Sequence, residues 1–399
     1  MKHGAFRFTA NSKTIGKMAS LILLCFGMHC ILRGIVMPAI QHDFDLTYTE
    51  LSTIVSFASV GYFVVAIFSS KISEKVGQKR ALSFYAAILM LTSLFITVAD
   101  QWIVLTALFC IAGGAYGGIE SMGTAVIKRY NPKNSDIAVN NAFGFYSIGS
   151  LFIAVLGGWL LFSGFDWRTA YYIVAFFSAV ALVYSIAIKE GEVTEISTRV
   201  DLSQLKDLFK DRIFVPMCFA TALLSGVEAA SINWMNTFLS NTIQDMNIFE
   251  TSCTTAIFFA GIYIGRIINS KLLRKLDSTI LTIVCGLLSG SVVLVISFVN
   301  TARLILACIV LFGLCVSCLY PLLVSITNGL SHHGVIYSCT FTMISIFNFG
   351  VNYLMGVVAD WLGLPSAFRL CAFLYLVVAI VVLLCRKKVI QRRFTDTTI

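Results

Sequence analysis

Charged side chains, among them Arg33, Glu120 and Glu228, fall inside stretches that otherwise read as bilayer-spanning. A charge at membrane depth costs about 2.5–3.5 kcal/mol even on the lenient insertion scale, so it persists where it faces a partner, water or a ligand. The chemistry open to such groups is proton exchange and the binding of a polar solute. Glu120 ends the run Ala112-Gly113-Gly114-Ala115-Tyr116-Gly117-Gly118-Ile119, and no basic residue lies near it in its own helix. The glycines form two overlapping G-x-x-x-G pairs, 113/117 and 114/118, which let a neighbouring backbone approach closely. Glu228 sits in Gly226-Val227-Glu228, with Asn236 two turns further on. A carboxyl group in such surroundings is suited to taking up and releasing a proton near neutral pH, so Glu120 and Glu228 are the candidate proton-coupling residues.

Arg33 follows His29 by four residues, placing both on one helix face below Pro38. A guanidinium stays protonated and cannot carry a proton, but it can bind a substrate carboxylate or hold Glu228 ionised. An Arg33–Glu228 pair is therefore expected. The other candidates for substrate contact are Asn141, Asn233, Trp234, Asn236, Tyr320, Asn348 and Asn352. Trp234 is placed to stack on a ring or to pack. Asn348 and Asn352 share a face and can serve a ligand or bridge helices.

The elements that must position these residues are helices. Apolar residues make up 58% of the chain and charged ones 12%, against about 45–50% and 25% in a soluble domain. Twelve segments suffice to cross a bilayer, near 18–41, 51–70, 81–99, 102–127, 137–163, 169–188, 213–239, 253–270, 279–299, 303–328, 336–358 and 366–385. Each approaches the roughly 20 residues a membrane helix needs. The first is too long for a signal peptide and lacks a small-residue cleavage pattern. With both termini cytoplasmic, inside segments hold 24 of the 29 Lys and Arg, a strong positive-inside bias. That bias accounts for the net charge of +9, and no nucleic-acid partner is expected.

The longest polar stretch, 189–212, divides the chain into six-helix halves, 1–188 and 213–399. Within it, Leu202, Leu205, Leu208 and Phe209 recur at helical spacing, predicting an amphipathic helix on the cytoplasmic surface. A shift of 200 residues aligns Glu50 with Glu250, Ser52 with Ser252, Gly61 with Gly261, Ile67 with Ile267, Ser70-Lys71 with Ser270-Lys271 and Lys75 with Lys275, seven identities in 31 positions. Carried on, it pairs Gly113 with Gly313, Arg33 with Asn233 and Glu120 with Tyr320. Duplicated halves are typical of secondary transporters, with the site near mid-membrane between them.

Other chemistries find little support. All twelve cysteines lie in or at the ends of apolar spans; Cys315 and Cys318 share one helix face, which suits packing better than metal or redox work. His332 and His333 have no Cys or carboxylate cluster beside them. No nucleophile–base pair or nucleotide-binding loop supports an enzyme. No cofactor or metal is expected; the proton is the coupling ion. The partners expected are a small-molecule substrate and the lipid bilayer, with the chain acting as a monomer.

The loop Ser70-Lys71-Ile72-Ser73-Glu74-Lys75-Val76-Gly77-Gln78-Lys79-Arg80 resembles the G-x-x-x-D-R-x-G-R-[KR] signature of the major facilitator superfamily, with Ser70 for its first glycine and Glu74 for its aspartate. More specifically, Gly226-Val227-Glu228 with Trp234, Gly261-Ile262-Tyr263-Ile264-Gly265-Arg266, and Gly313, Ser317 and Tyr320-Pro321 resemble spans seven, eight and ten of the fucose–proton symporter family. The resemblance implies an all-α membrane fold of twelve helices in two pseudo-symmetric bundles, with spans 1, 4, 7 and 10 lining a cavity. It implies a cytoplasmic gate formed by Glu74, Lys75, Gly77, Lys79, Arg80, Arg266 and Arg274, and it places Glu120 where that family has an essential glutamate. One departure stands out: the family's first-span aspartate is matched by Gly34, with Arg33 beside it, which hints at an acidic or otherwise different substrate. No proline lies between 137 and 163, unlike the fifth-span pattern of drug/proton antiporters. The expected function is proton-coupled symport of a small polar solute, a sugar or sugar derivative, by alternating access in a bacterial inner membrane. The rivals are an exporter or antiporter of organic anions or drugs, and a non-transport membrane protein.

Overall fold

The computed structural model describes residues 8–9, 12–131, 135–189, 210–330 and 335–396. Its helices are α1 (Ser12–Asp43), α2 (Tyr48–Val76), α3 (Gln78–Ile96), α4 (Trp102–Tyr130), α5 (Ser135–Phe162), α6 (Arg168–Ala187), α7 (Phe214–Thr242), α8 (Ile248–Leu272), α9 (Ser278–Ile296), α10 (Ala302–Val316), α11 (Leu319–Asn328), α12 (Val335–Leu362) and α13 (Leu364–Asp396). Twelve spans among the described residues are long and apolar enough to cross a membrane, α10 and α11 together forming the tenth. Pro321 explains that interruption, because its ring excludes the carbonyl of Ser317 and removes a donor. The strand pairing among the described residues is β1 (Phe8–Thr9) beside β2 (Ile188–Lys189), two residues each, so the all-helical expectation holds. The amphipathic helix expected in the linker lies outside the described residues.

Several helices run past the apolar segments that announced them. α13 continues through Arg386, Lys387, Lys388 and Arg392, and α2 continues to Val76. Hydropathy marks where a chain leaves hydrocarbon, whereas a helix ends where a backbone signal ends it. Gly77 supplies one such signal between α2 and α3, and Gly363 another between α12 and α13, with φ of 87° and 81°, values that glycine adopts without steric cost.

Two compact units emerge, one of residues 1–40 and 57–198, the other of 41–56 and 199–399. In the first, α3 packs on α4 and α6; in the second, α9 packs on α10 and α13. The duplication seen in the sequence recurs atom by atom. A Cβ on Gly113 would land on the backbone of Ala58, and one on Gly61 on the carbonyl of Cys110. Two hundred residues on, a Cβ on Gly313 would meet the carbonyl of Phe258, and one on Gly261 the carbonyl of Val310. Both units thus press two helices together through the same pair of glycines, in the manner of small-residue membrane contacts.

The helix starts repeat as well. Thr47 and Glu50 exchange backbone-to-side-chain hydrogen bonds at the head of α2 (2.9 and 3.2 Å). Asn247 and Glu250 do the same at the head of α8 (2.8 and 2.9 Å). Each is a capping box that satisfies otherwise orphaned amides, so the identity of Glu50 and Glu250 is a helix-capping identity. The start of α2 belongs to the second unit, and there Asp360 of α12 accepts from the amides of Tyr48 and Thr49, both at 2.8 Å, and from the Thr49 hydroxyl at 2.5 Å. A carboxylate at a helix N-terminus is also favoured by the helix dipole.

Candidate functional site

Each unit holds a group of buried polar side chains among the expected site residues. In the first, His29 and Arg33 are buried at 0% and 7% exposure. His29 Nδ1 lies 2.6 Å from the Tyr116 hydroxyl, so the two share one hydrogen. The imidazole meets Tyr171 and Phe109 edge-on, at 5.4 and 6.2 Å between centroids. Arg33 acts electrostatically on His29, Tyr116 and Tyr171, which puts its guanidinium in the same layer. One turn along α4 from Tyr116, Glu120 accepts the Tyr62 hydroxyl at 3.0 Å and interacts electrostatically with Tyr146 of α5. Phe26 bridges the layers, 5.1 Å from the Tyr116 ring and 4.9 Å from that of Tyr146.

This arrangement combines four phenol hydroxyls, a carboxyl group, an imidazole and a guanidinium on an aromatic bed. Aromatic faces with polar rims offer the two recognition elements a polyhydroxylated ring presents, an apolar face and an edge of hydroxyls. His29 Nε2 is buried and makes no hydrogen bond. Asn141, by contrast, is exposed on α5.

In the second unit, Glu228 is partly buried and its Oε2 is shut off from solvent without a hydrogen-bond partner. The opposite charge that acts on it is Arg266 of α8. Asn233 donates to Asn352 Oδ1 at 3.1 Å, and Asn352 in turn donates to the Asn348 carbonyl at 2.8 Å. Asn236 donates to Thr255 at 3.0 Å. The Oδ1 atoms of Asn236 and Asn348 are buried and make no hydrogen bond. Trp234 is fully buried, 6.2 Å from the Tyr48 ring, and Tyr320 is partly buried in α11. The amides of α7 and α12 therefore bridge helices while leaving two acceptors free, so the bridging and ligand readings meet in the same residues.

The seven residues expected to form a gate occupy different settings. Lys75 and Arg80 are exposed on either side of the Gly77 turn, and Glu74 lies in the last turn of α2. Lys79 is instead buried at 7% exposure, its ammonium donating to the Ile188 carbonyl, which ties the start of α3 to the end of α6. Arg274 is exposed in the α8–α9 turn, and Arg266 is exposed on α8.

Sequence reasoning passed over Tyr62, Tyr116, Tyr146 and Tyr171, which supply the hydroxyls of the first cluster. One signal was available: Tyr116 precedes Glu120 by four residues on α4, and a phenol inside an apolar span needs a partner for its hydroxyl. Among the described residues no group of three His, Cys, Asp or Glu could hold a metal ion.

Comparison with known proteins places these clusters in context. The family model described as Major Facilitator Superfamily matches residues 19–351. A glucose/galactose transporter of Brucella abortus biovar 1 (strain 9-941) is 23% identical over 392 residues, covering 93% of this chain and 94% of that protein. Among solved structures, a D-xylose-proton symporter superposes with a TM-score of 0.78 at 12% identity, covering 94% of this chain and 97% of that one. FucP in the outward conformation superposes with a TM-score of 0.65 at 17% identity, covering 93% and 98%.

Proposed function

The chain belongs to the major facilitator superfamily, and on that premise we propose that this membrane transporter carries a sugar or sugar derivative in symport with a proton, by alternating access. The sugar class is supported by the glucose/galactose transporter relative and by the D-xylose-proton symporter and FucP folds. It is supported also by the aromatic and hydroxyl bed of the first cluster. The membrane is a bacterial inner membrane, with both termini on the side where Lys and Arg gather.

The observation that carries proton coupling is Glu228, whose Oε2 is excluded from solvent with no hydrogen-bond donor to meet it. An ionised carboxylate in that position bears a desolvation cost that no hydrogen bond offsets, whereas a protonated one does not, so the loaded carrier can rearrange once the proton has arrived. Arg266 offers the countercharge while the proton is absent. Glu120, held by Tyr62, is the second candidate.

Uptake of glucose, galactose and xylose into proteoliposomes under an imposed pH gradient tests this. One pH unit stores about 1.4 kcal/mol per proton, or about tenfold accumulation for one proton per solute. Glu228→Gln should keep solute exchange and lose gradient-driven accumulation. Equal accumulation with and without the gradient, together with full activity of Glu228→Gln, would refute the mechanism. The buried guanidinium of Arg33 favours one alternative, export or antiport of organic anions. That reading predicts counterflow with uronates or other carboxylates and none with neutral sugars.

A further inference from the structure

Outside both polar clusters, α8, α9 and α10 enclose a cleft of about 250 Å³ on the flank of the second unit. Gly265 and Leu314 lie at its floor, and Val284 and Leu288 at its mouth are 46% and 44% exposed. The one amide in its wall, Asn269, is already committed to the Leu314 carbonyl at 3.2 Å and to Ser317 Oγ at 2.8 Å. The cleft therefore offers apolar surface and no unsatisfied polar group, which suits a hydrocarbon chain and not a sugar.

Its charge is concentrated at one end. The cleft closes at the α8–α9 turn, where Leu272 and Leu276 line it. That turn is tight: Lys275 and Leu276 each donate their amide to the Leu272 carbonyl at 2.9 Å. Lys271, Arg274 and Lys275 are thereby set beside the two lining leucines, all three exposed and none in an ion pair with a described residue. The nearest acid in sequence, Asp277, caps α9 by accepting from the amide and hydroxyl of Thr279.

We propose that this cleft seats one acyl chain of an anionic phospholipid, whose phosphate is held by Lys271, Arg274 and Lys275. An apolar slot ending in three exposed cations complements an amphiphile with a hydrocarbon tail and a negative head. A zwitterionic lipid fills the slot equally well but gains less from the cations, so the selectivity resides in the turn and the retention in the cleft.

The test uses the full chain in detergent, exposed to phosphatidylglycerol or phosphatidylcholine with identical chains, and counts retained lipid by native mass spectrometry. Each basic residue near an anionic lipid is worth about fivefold in affinity, so the wild type should retain phosphatidylglycerol at least about tenfold better. The triple variant Lys271→Gln, Arg274→Gln, Lys275→Gln should retain both lipids alike. Val284→Trp, which fills the mouth and keeps the charges, should weaken both. The double variant Lys387→Gln, Lys388→Gln, exposed on α13, which contributes no residue to the lining of the cleft, should keep the wild-type preference. Equal retention of the two lipids by the wild type, an undiminished preference in the triple variant, or unchanged retention in Val284→Trp would each overturn the proposal. Displacement of the lipid by glycerol 1-phosphate alone would do so too, since it would show a headgroup site without need of the cleft.

Discussion

Replacing Gly113 by alanine tests the helix contact that both units share. The added Cβ would lie 2.6 Å from the Ala58 carbonyl carbon and 2.7 Å from its Cα. Both obstacles are backbone atoms of a packed helix, which cannot step aside as a flexible side-chain end would. Alanine favours the helix by about 1 kcal/mol over glycine, whereas overpacking costs about 1–3 kcal/mol. With a backbone obstacle the cost sits at the upper end, giving a net loss of about 2 kcal/mol. Gly313→Ala should act the same way, because its Cβ would lie 2.5 Å from the Phe258 carbonyl oxygen and 3.1 Å from the Gly261 Cα. Gly123→Ala on the same α4 helix is the control, since nothing lies within 4 Å of its Cβ position; it should gain up to about 1 kcal/mol. Equilibrium unfolding by dodecyl sulfate in mixed micelles reads these differences, a spread of about 3 kcal/mol between Gly113→Ala and Gly123→Ala. Should Gly113→Ala unfold at the same detergent fraction as Gly123→Ala, the close backbone approach is not a feature of the folded protein.

Other perturbations carry their own signs. Asp360→Ala removes the acceptor from the Tyr48 and Thr49 amides; hydrogen exchange at those two amides should accelerate, with about 1 kcal/mol of stability lost, and unchanged protection would contradict the contact. Tyr116→Phe strips His29 of its hydroxyl partner and leaves a buried polar nitrogen unmet, costing about 1–3 kcal/mol in the same detergent titration; a neutral result would rule out the bond. Asp211 lies just before α7, where partial burial pushes its carboxyl up, but the Ile213 amide, Arg392 and the Phe214 amide more than offset this and hold it below the ordinary range. Its folded-state pKa is thus the lower one, so its contribution is complete above the unfolded value of about 3.9 and fades as pH falls through the folded value. Acid titration of stability should therefore show a loss in the wild type that Asp211→Asn lacks, and identical acid profiles would discount the pair.

What the sequence made legible, and what it hid, follows from the range of each interaction. Helix number came from hydropathy alone, because the bilayer imposes a length on every span. The 200-residue repeat could be read because its matched residues act locally or through backbone: Glu50 and Glu250 cap their own helices, and Gly113 and Gly313 serve by lacking a side chain. The polar clusters were legible only in part. Glu120 announced itself as a buried charge, but its partner Tyr62 lies 58 residues away, and no linear pattern encodes which phenol meets which acid. The setting of Lys79 was hidden for a related reason. A lysine in a basic loop ordinarily projects into water, and only the fold places the Ile188 carbonyl within its reach.

The twin glycine contacts have a bearing on how such a molecule changes over time. Beside Gly113 and Gly313, whose jobs are identical, stand Glu120 and Tyr320, Arg33 and Asn233, residues that share a position in the repeat and nothing in chemistry. On the function proposed above, architecture and cargo recognition are written in different letters of the same repeat. Mutation can rewrite the second text in one half without touching the first. A library that randomises the cluster residues and spares the glycines should yield assembled proteins with shifted appetites, whereas the reverse library should yield mostly wreckage.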